Sequence, residues 1–158
     1  MALGKLSLKG RALRLLSGRE HSRLELERKL AAHEEEPGQL ARVLDELQAK
    51  GFISDQRVAE SVLHRRAPRL GAARIRQELQ AKGLAPELIQ EAVAALRGTE
   101  LARAREVWQR KFSALPQDAA ERGRQTRFLA TRGFGGEVVH RVLSGGAVRV
   151  SDPDQEPL

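Results

Sequence analysis

The sequence predicts an all-α protein built from three tandem three-helix repeats, with about nine short helices. Apolar side chains recur every three or four residues along short segments, and most segments end at a glycine. Three leucines, Leu30, Leu79 and Leu129, lie 49 and 50 residues apart, near the ends of equivalent predicted helices. A fixed period near 50 residues, with three helices in each period, is typical of tandem repeat proteins.

Local similarity supports this period. Residues 79–84 read LQAKGL and residues 129–134 read LATRGF. The next helix after each periodic leucine starts its apolar face nine or ten residues later, at Leu40, Leu88 and Val138. We therefore predict repeats at residues 1–53, 54–98 and 99–145, followed by a disordered acidic tail at 146–158.

The first repeat opens with a helix over residues 5–17, which Gly18 ends, and Ser22 can cap a second helix. A third helix follows the loop of residues 34–38 and ends at Gly51. The inward positions of these three helices are Leu8, Ala12, Leu15, Leu16, Leu26, Leu30, Leu40, Val43, Leu44 and Leu47.

The second repeat begins with a helix that Ser54 and Asp55 open and Pro68 ends, because proline lacks the amide hydrogen that a helix needs. Its middle helix ends at Gly83, and Pro86 suits the first position of the next helix. The apolar positions are Val58, Val62, Leu63, Ala72, Ile75, Leu79, Leu88, Ala92, Val93 and Leu96.

The third repeat restarts after residues 98–99. Its middle helix is predicted to begin at Pro116 and to end at Gly133, and its last helix follows Gly135 and Gly136. The apolar positions are Leu101, Ala104, Trp108, Phe112, Phe128, Leu129, Val138, Val142 and Leu143, and Gln125 lies on the same side.

The composition limits the class of protein. Only 41% of residues are hydrophobic and 3% are aromatic, so thin helical cores are expected rather than one thick core. The absence of cysteine excludes disulfides and thiolate metal sites. No apolar run resembles a secretory signal or a membrane span, and we expect a soluble cytoplasmic protein.

The net charge of +7 favours an anionic partner, either nucleic acid or an acidic protein surface. The densest basic zone lies at mid-chain, where six cations fall within 18 residues and Glu78 is the only acid. Arginine's planar fork suits phosphate and carboxylate alike. The alternative is a solvated face of two helices. The candidate binding residues of this zone are Arg65, Arg66, Arg69, Arg74, Arg76 and Lys82.

A second basic zone lies in the third repeat, among Arg103, Arg105, Arg110, Lys111, Arg122, Arg124, Arg127 and Arg132. Its candidate binding residues are Arg110, Lys111, Arg124, Arg127 and Arg132. The nearby aromatic residues are expected in the core rather than stacked on bases, so any contact with single-stranded DNA should be electrostatic, weak and sensitive to salt. These aromatic residues are Trp108, Phe112, Phe128 and Phe134.

Three segments, in order, resemble the RecX family of RecA regulators. They are residues 11–30 (RALRLLSGREHSRLELERKL), 71–84 (GAARIRQELQAKGL) and 127–134 (RFLATRGF), and the likeness spans about residues 8–144. The resemblance implies a curved, elongated array of three three-helix units. It also implies binding to RecA filaments on single-stranded DNA, in their groove, and inhibition of strand exchange, ATP hydrolysis and co-protease function.

The residues indicate no enzyme, no metal site and no cofactor. No phosphate-binding loop, nucleophile elbow or metal-binding histidine motif is present. We therefore expect a monomeric, non-enzymatic regulator. One alternative is a helix-turn-helix DNA-binding protein, although the third helices begin with Pro86-Glu87 and Gly136-Glu137 rather than with base-reading side chains. A further alternative is an interaction scaffold unrelated to recombination.

Overall fold

The computed structural model describes residues 5–145, and the predicted acidic tail lies outside them. All regular structure in this part of the chain is helical, which confirms the predicted fold class. The α-helices are α1 (Leu8–Gly18), α2 (Arg23–Leu30), α3 (Gln39–Ala49), α4 (Asp55–Arg66), α5 (Ala72–Ala81), α6 (Pro86–Leu96), α7 (Glu100–Lys111), α8 (Ala119–Thr131) and α9 (Gly136–Leu143). Short 3₁₀ turns cover Ala31–His33 and Arg97–Thr99.

The chain divides into two compact units. Within the described residues, unit 1 contains residues 5–66 together with Ile75–Ala95, and unit 2 contains Ala67–Arg74 together with residues 96–145. The helices of the predicted second repeat therefore contribute to both units. The boundaries of the three predicted repeats remain predictions.

Unit 1 has an aliphatic core between α1, α2 and α3. The side chains at the predicted inward positions fill it, because their spacing places them on one face of each helix. Leu15, Leu16 and Val43 are only partly buried and pack at its edge. The buried members are Leu8, Ala12, Leu26, Leu30, Leu40, Leu44, Leu47 and Ile53.

The ends of the first two helices follow from local hydrogen bonds. The Ser7 hydroxyl accepts from the Gly10 amide, so α1 begins at Leu8 rather than at residue 5. Gly18 is the last residue of α1 rather than its stop. Ser22 caps α2 as predicted, and Glu25 completes a capping box by accepting from the Ser22 amide.

The turn that ends α5 packs against the start of α2 in unit 1. Gly83 has φ +73°, and a Cβ there would lie 2.6 Å from the Leu24 side chain. Lys82 Nζ lies 3.0 Å from Glu25 Oε1, and both side chains are only 15% exposed. Arg28 Nη1 donates to the Ala81 carbonyl at 3.5 Å. Gly83 therefore ends its helix as predicted and also allows this close approach.

Glu25 accepts hydrogen bonds from three donors. Arg19 Nη2 lies at 2.7 Å, Lys82 Nζ at 3.0 Å and the Ser22 amide at 3.2 Å. Burial alone would raise the pKa of Glu25, but these donors hold the pKa at about 2. The carboxylate therefore stabilises the fold fully above its usual pKa of 4.5, and this contribution is lost as the pH falls toward about 2.

Replacing Glu25 with glutamine should lower the free energy of unfolding by about 2 kcal/mol at neutral pH, because Lys82 would lose its charged partner in a half-buried site. Urea unfolding followed by circular dichroism measures this. The gap between wild type and E25Q should close as the pH falls below 4.5. The control E27Q removes a more exposed ion pair with Arg23 and should cost under about 1 kcal/mol. A gap for E25Q that is independent of pH would contradict this account.

The core of unit 2 lies between α7, α8 and α9. Its buried members are Ala104, Val107, Leu129, Phe134, Val139, Val142 and Leu143. Val138, predicted as the first anchor of α9, only packs at the edge, and Val139 is the buried residue. In unit 1, Leu88 of α6 is likewise half-buried and its neighbour Ile89 is buried. The helical spacing of apolar residues does not show which of two adjacent apolar residues is the buried one.

The prediction that Pro116 begins the middle helix of the third repeat is wrong. α8 begins at Ala119, because the Asp118 carboxylate accepts from the Glu121 amide and caps the helix there. Pro116 lies in the loop between α7 and α8. A proline favours the first helical position, but the side-chain cap three residues before Glu121 determines where this helix starts.

Unit 2 joins the end of α8 to the start of α5 through the backbone. The Gly71 amide donates to the Arg132 carbonyl at 2.8 Å, and the Ala73 amide donates to the Gly133 carbonyl at 3.2 Å. Gly133 has φ +90°. A Cβ on Gly71 would collide with the Gly133 carbonyl group. The amides that begin α5 thus satisfy carbonyl groups that follow α8.

Candidate partner-binding surface

Four of the predicted binding residues lie in unit 1, on α4 and α5 or directly after α5. Arg66 Nε lies 3.2 Å from Glu78 Oε2, and Lys82 is held by Glu25. Arg65 and Arg76 are exposed, and their side chains make no ion pair or hydrogen bond with any residue of the described chain. Unit 1 therefore presents two unpaired guanidinium groups from this zone.

Two residues of the same zone lie in unit 2. Arg74 Nη1 donates to the Thr131 carbonyl at 3.0 Å, so this guanidinium group helps to hold α8 beside the start of α5. Arg69 is exposed in the segment between α4 and α5, without a partner between residues 5 and 145. The mid-chain zone is contiguous in sequence, but the two units divide it.

The third-repeat zone is mostly exposed. Arg110 and Lys111 form the last turn of α7, where positive charge complements the negative end of the helix dipole. Arg124 and Arg127 lie on one face of α8, because residues three apart are neighbours on a helix. Within the described chain the side chains of these four residues have no hydrogen-bond or ion-pair partner.

Arg132 is held by Phe128. Its guanidinium carbon lies 3.6 Å from the centroid of the Phe128 ring, and its Nη1 donates to the Phe128 carbonyl at 3.0 Å. Such a cation–π contact contributes about 0.5–1 kcal/mol at a partly exposed site. Arg132 is therefore engaged in the structure of unit 2.

The eleven candidates thus fall into two groups. Engaged within the fold are Arg66, Arg74, Lys82 and Arg132. Free within residues 5–145 are Arg65, Arg69, Arg76, Arg110, Lys111, Arg124 and Arg127. An exposed guanidinium group can bind a carboxylate or a phosphate through two parallel hydrogen bonds, so the second group can serve an anionic partner without breaking internal contacts.

Arg103, which belongs to the third-repeat zone in sequence, is a structural residue. Its Nη1 donates to the carbonyl groups of Ala67 and Leu70, both at 2.7 Å. Its Nε donates to the Thr99 hydroxyl at 3.1 Å. These contacts hold the segment after α4 against α7. The Ala67 and Leu70 carbonyl groups lie 36 and 33 residues away in sequence, so no local signal predicts that Arg103 binds them.

The aromatic side chains of unit 2 pack with one another. Phe112 and Phe128 meet edge to face with centroids 5.2 Å apart, and the Trp108 and Phe112 centroids are 6.4 Å apart. Trp108 Nε1 donates to Gln125 Oε1 at 2.8 Å, and Phe134 is buried. These rings therefore stabilise the core and its edge, as expected from the sequence.

Residues 5–145 contain no group of three or more histidine and acidic side chains that could hold a metal ion. Over the same residues, no helix combines the length and apolar character needed to cross a lipid bilayer.

Three family models match the chain in order. They are described as the first, second and third three-helix domains of RecX, and they match residues 9–47, 54–93 and 99–143. Each match lies within one predicted repeat and spans most of three α-helices of the structure.

Curated relatives and solved structures agree with these matches. The chain is 57% identical to "Regulatory protein RecX" of Leptothrix cholodnii over 139 residues, 88% of each chain. It is 47% identical to the protein of the same name from Ralstonia nicotianae, over 95% of this chain and 94% of the relative. A crystal structure of RecX from Lactobacillus salivarius superimposes with a TM-score of 0.73 at 18% identity, covering 87% and 93% of the two chains.

Proposed function

Because the chain belongs to the RecX family of regulatory proteins, we propose that it binds RecA filaments on single-stranded DNA and inhibits RecA. The inhibited activities are strand exchange, ATP hydrolysis and co-protease function, so the protein restrains DNA repair by recombination. The observation that carries this proposal is the ordered match of all three RecX domains to the three helix triplets of the chain.

The exposed cations supply a physical basis for the proposal. A filament repeats the same acidic and phosphate-bearing surfaces along its length, so cations on several helices can bind equivalent sites at once. Each single contact can be weak while the protein as a whole binds the filament tightly. We propose that the protein acts as a monomer in the cytoplasm, without a cofactor and without catalysis.

Direct binding to bare single-stranded DNA should be weak and strongly dependent on salt. If about three phosphates are contacted, the affinity should fall roughly tenfold to twentyfold between about 50 and 200 mM salt. Fluorescence anisotropy with a labelled oligothymidine measures this. An affinity that stays constant with salt would contradict an electrostatic contact. It would indicate base stacking instead, for which Trp108, Phe112 and Phe128 are poorly placed.

RecA ATPase activity on single-stranded DNA tests the proposal directly. We expect inhibition at well under one molecule of this protein per RecA, because a molecule that blocks filament growth or bridges subunits affects many RecA monomers. An undiminished ATPase rate at one molecule per RecA would overturn the proposal. In that case, an absence of DNA affinity as well would favour an interaction scaffold.

A helix-turn-helix role in reading duplex DNA is less compatible with the helix starts. Glu87 and Glu137 are exposed in the first turns of α6 and α9, where a recognition helix places its base-reading side chains. Carboxylates at these positions would meet the negative charge of the groove. Sequence-specific binding to duplex DNA, with RecA unaffected, is the result that would favour this role.

A further inference from the structure

Unit 1 contains an open pocket of about 630 Å³ beside α1 and the last turn of α2. This volume is within the range of pockets that hold small molecules. Leu6, Leu15 and Leu30 supply its apolar wall. The cations assigned to RecA binding in the proposed function lie outside α1 and α2, and the pocket has no part in that proposal.

The polar part of the wall is cationic. Arg11 and Arg14 project from one face of α1, three residues apart, and Lys29 lies on α2. None of these three has a carboxylate partner in the described chain. Arg19 also lines the pocket, but its charge is offset by Glu25 at 2.7 Å. No aspartate or glutamate of the described residues lines this pocket.

His21 orients Lys29 at the wall of the pocket. His21 is buried, and its Nδ1 lies 3.0 Å from the Arg19 carbonyl, which can only accept; Nδ1 therefore carries the hydrogen. In the neutral ring Nε2 is then an acceptor, and Lys29 Nζ donates to it at 3.3 Å. Burial lowers the pKa of His21, and the positive charges of Arg19 and Lys29 lower it further. The neutral ring thus leaves the charge of Lys29 uncompensated.

We propose that this pocket binds a phosphate monoester carried by a nucleotide-sized ligand. Two guanidinium forks and an ammonium group would surround a dianionic phosphate, and the leucine wall would take the less polar body of the ligand. A free nucleotide and the 5′-phosphorylated end of a DNA strand share this chemistry. Neither source requires RecA, so this site can exist whether or not the proposed function is correct.

Isothermal titration of the full chain at pH 7.5 and low salt tests the proposal, with adenosine 5′-monophosphate (AMP) and adenosine as probes. AMP should bind at least tenfold more tightly than adenosine. The double variant R11Q/R14Q should weaken AMP binding at least tenfold. The control R42Q removes an exposed arginine of unit 1 that does not line the pocket, and it should leave binding unchanged.

Thymidine pentamers with and without a 5′-phosphate distinguish the two sources. A preference for the phosphorylated pentamer over AMP assigns the site to a strand end, and the reverse assigns it to a free nucleotide. If circular dichroism shows that R11Q/R14Q is unfolded, K29Q replaces it with the same expectation, since that side chain is exposed. Absence of binding by AMP and the phosphorylated pentamer, equal binding of AMP and adenosine, or AMP binding that survives the pocket variants would overturn the proposal.

Discussion

Replacing Gly133 with alanine should lower the free energy of unfolding by about 3 kcal/mol, a large effect for one methyl group. Two costs combine. The backbone at Gly133 has φ +90°, which costs an L-residue about 1–2 kcal/mol. The added Cβ would also lie 2.5 Å from the Arg74 amide nitrogen, and such overpacking costs about 1–3 kcal/mol. The Arg74 side chain could shift, but its backbone nitrogen cannot move away without displacing the start of α5.

Two other glycines separate these costs. Gly51 has φ +80° with nothing within 4 Å of an added Cβ, so G51A should show the conformational cost alone, about 1 kcal/mol. Gly98 has open space around it and no positive φ, so G98A should change stability by less than about 0.5 kcal/mol. Urea unfolding followed by circular dichroism compares the three. Equal losses for G133A and G51A would mean that the contact between Gly133 and the start of α5 contributes nothing.

Reversing two charges in unit 1, with R65E/R76E, should raise the amount of protein needed for half-inhibition of RecA ATPase at least tenfold. Both arginines are exposed and have no partner within the described chain, so their loss leaves no buried group unsatisfied. Each glutamate would repel the phosphate or carboxylate that arginine attracts, and a charge reversal at an interface slows association and weakens specificity. The ATPase assay on single-stranded DNA gives the measurement, with helicity checked by circular dichroism.

The matched control is R42E/R141E. Both residues are exposed, lie outside the predicted binding zones and lack partners between residues 5 and 145, so the change in net charge is the same. Inhibition should remain close to wild type. If the control loses inhibition equally, the overall charge matters rather than this zone. The variant R124E/R127E tests the face of α8 in the same way. If R65E/R76E and R124E/R127E both inhibit RecA as fully as the wild type, these four arginines do not belong to the interface.

Local rules predicted most helix ends correctly. Ser22 and Glu25 form a capping box at the start of α2, and Gly83 and Gly133 adopt positive φ after their helices. These features depend on residues within one turn of the helix end, so the sequence contains them in full. Pro116 does not begin α8, because the Asp118 carboxylate caps the helix by accepting from the Glu121 amide.

The candidate site was predictable only in outline. Arginine density located the two basic zones, but it did not show that Arg66 pairs with Glu78 or that Arg74 donates to Thr131. Arginine density also did not identify Arg11 and Arg14 as candidates. Their spacing of three residues on α1 was the only sequence signal for the cationic pocket. Their significance depends on Lys29 and His21, which α2 and the loop before it bring to the same place.

The sequence by itself determined the all-helical class, the 50-residue period and the buried leucines at its centre, Leu30, Leu79 and Leu129. Each follows from apolar spacing and glycine placement, which are local properties of the chain. Only the tertiary structure decided which cations are free and why Gly71 and Gly133 must lack side chains. Those properties depend on which parts of the chain the fold brings together, such as the Arg74 side chain and the Thr131 carbonyl, which are 57 residues apart. A charged or small side chain gives no local indication of the partner that it will meet.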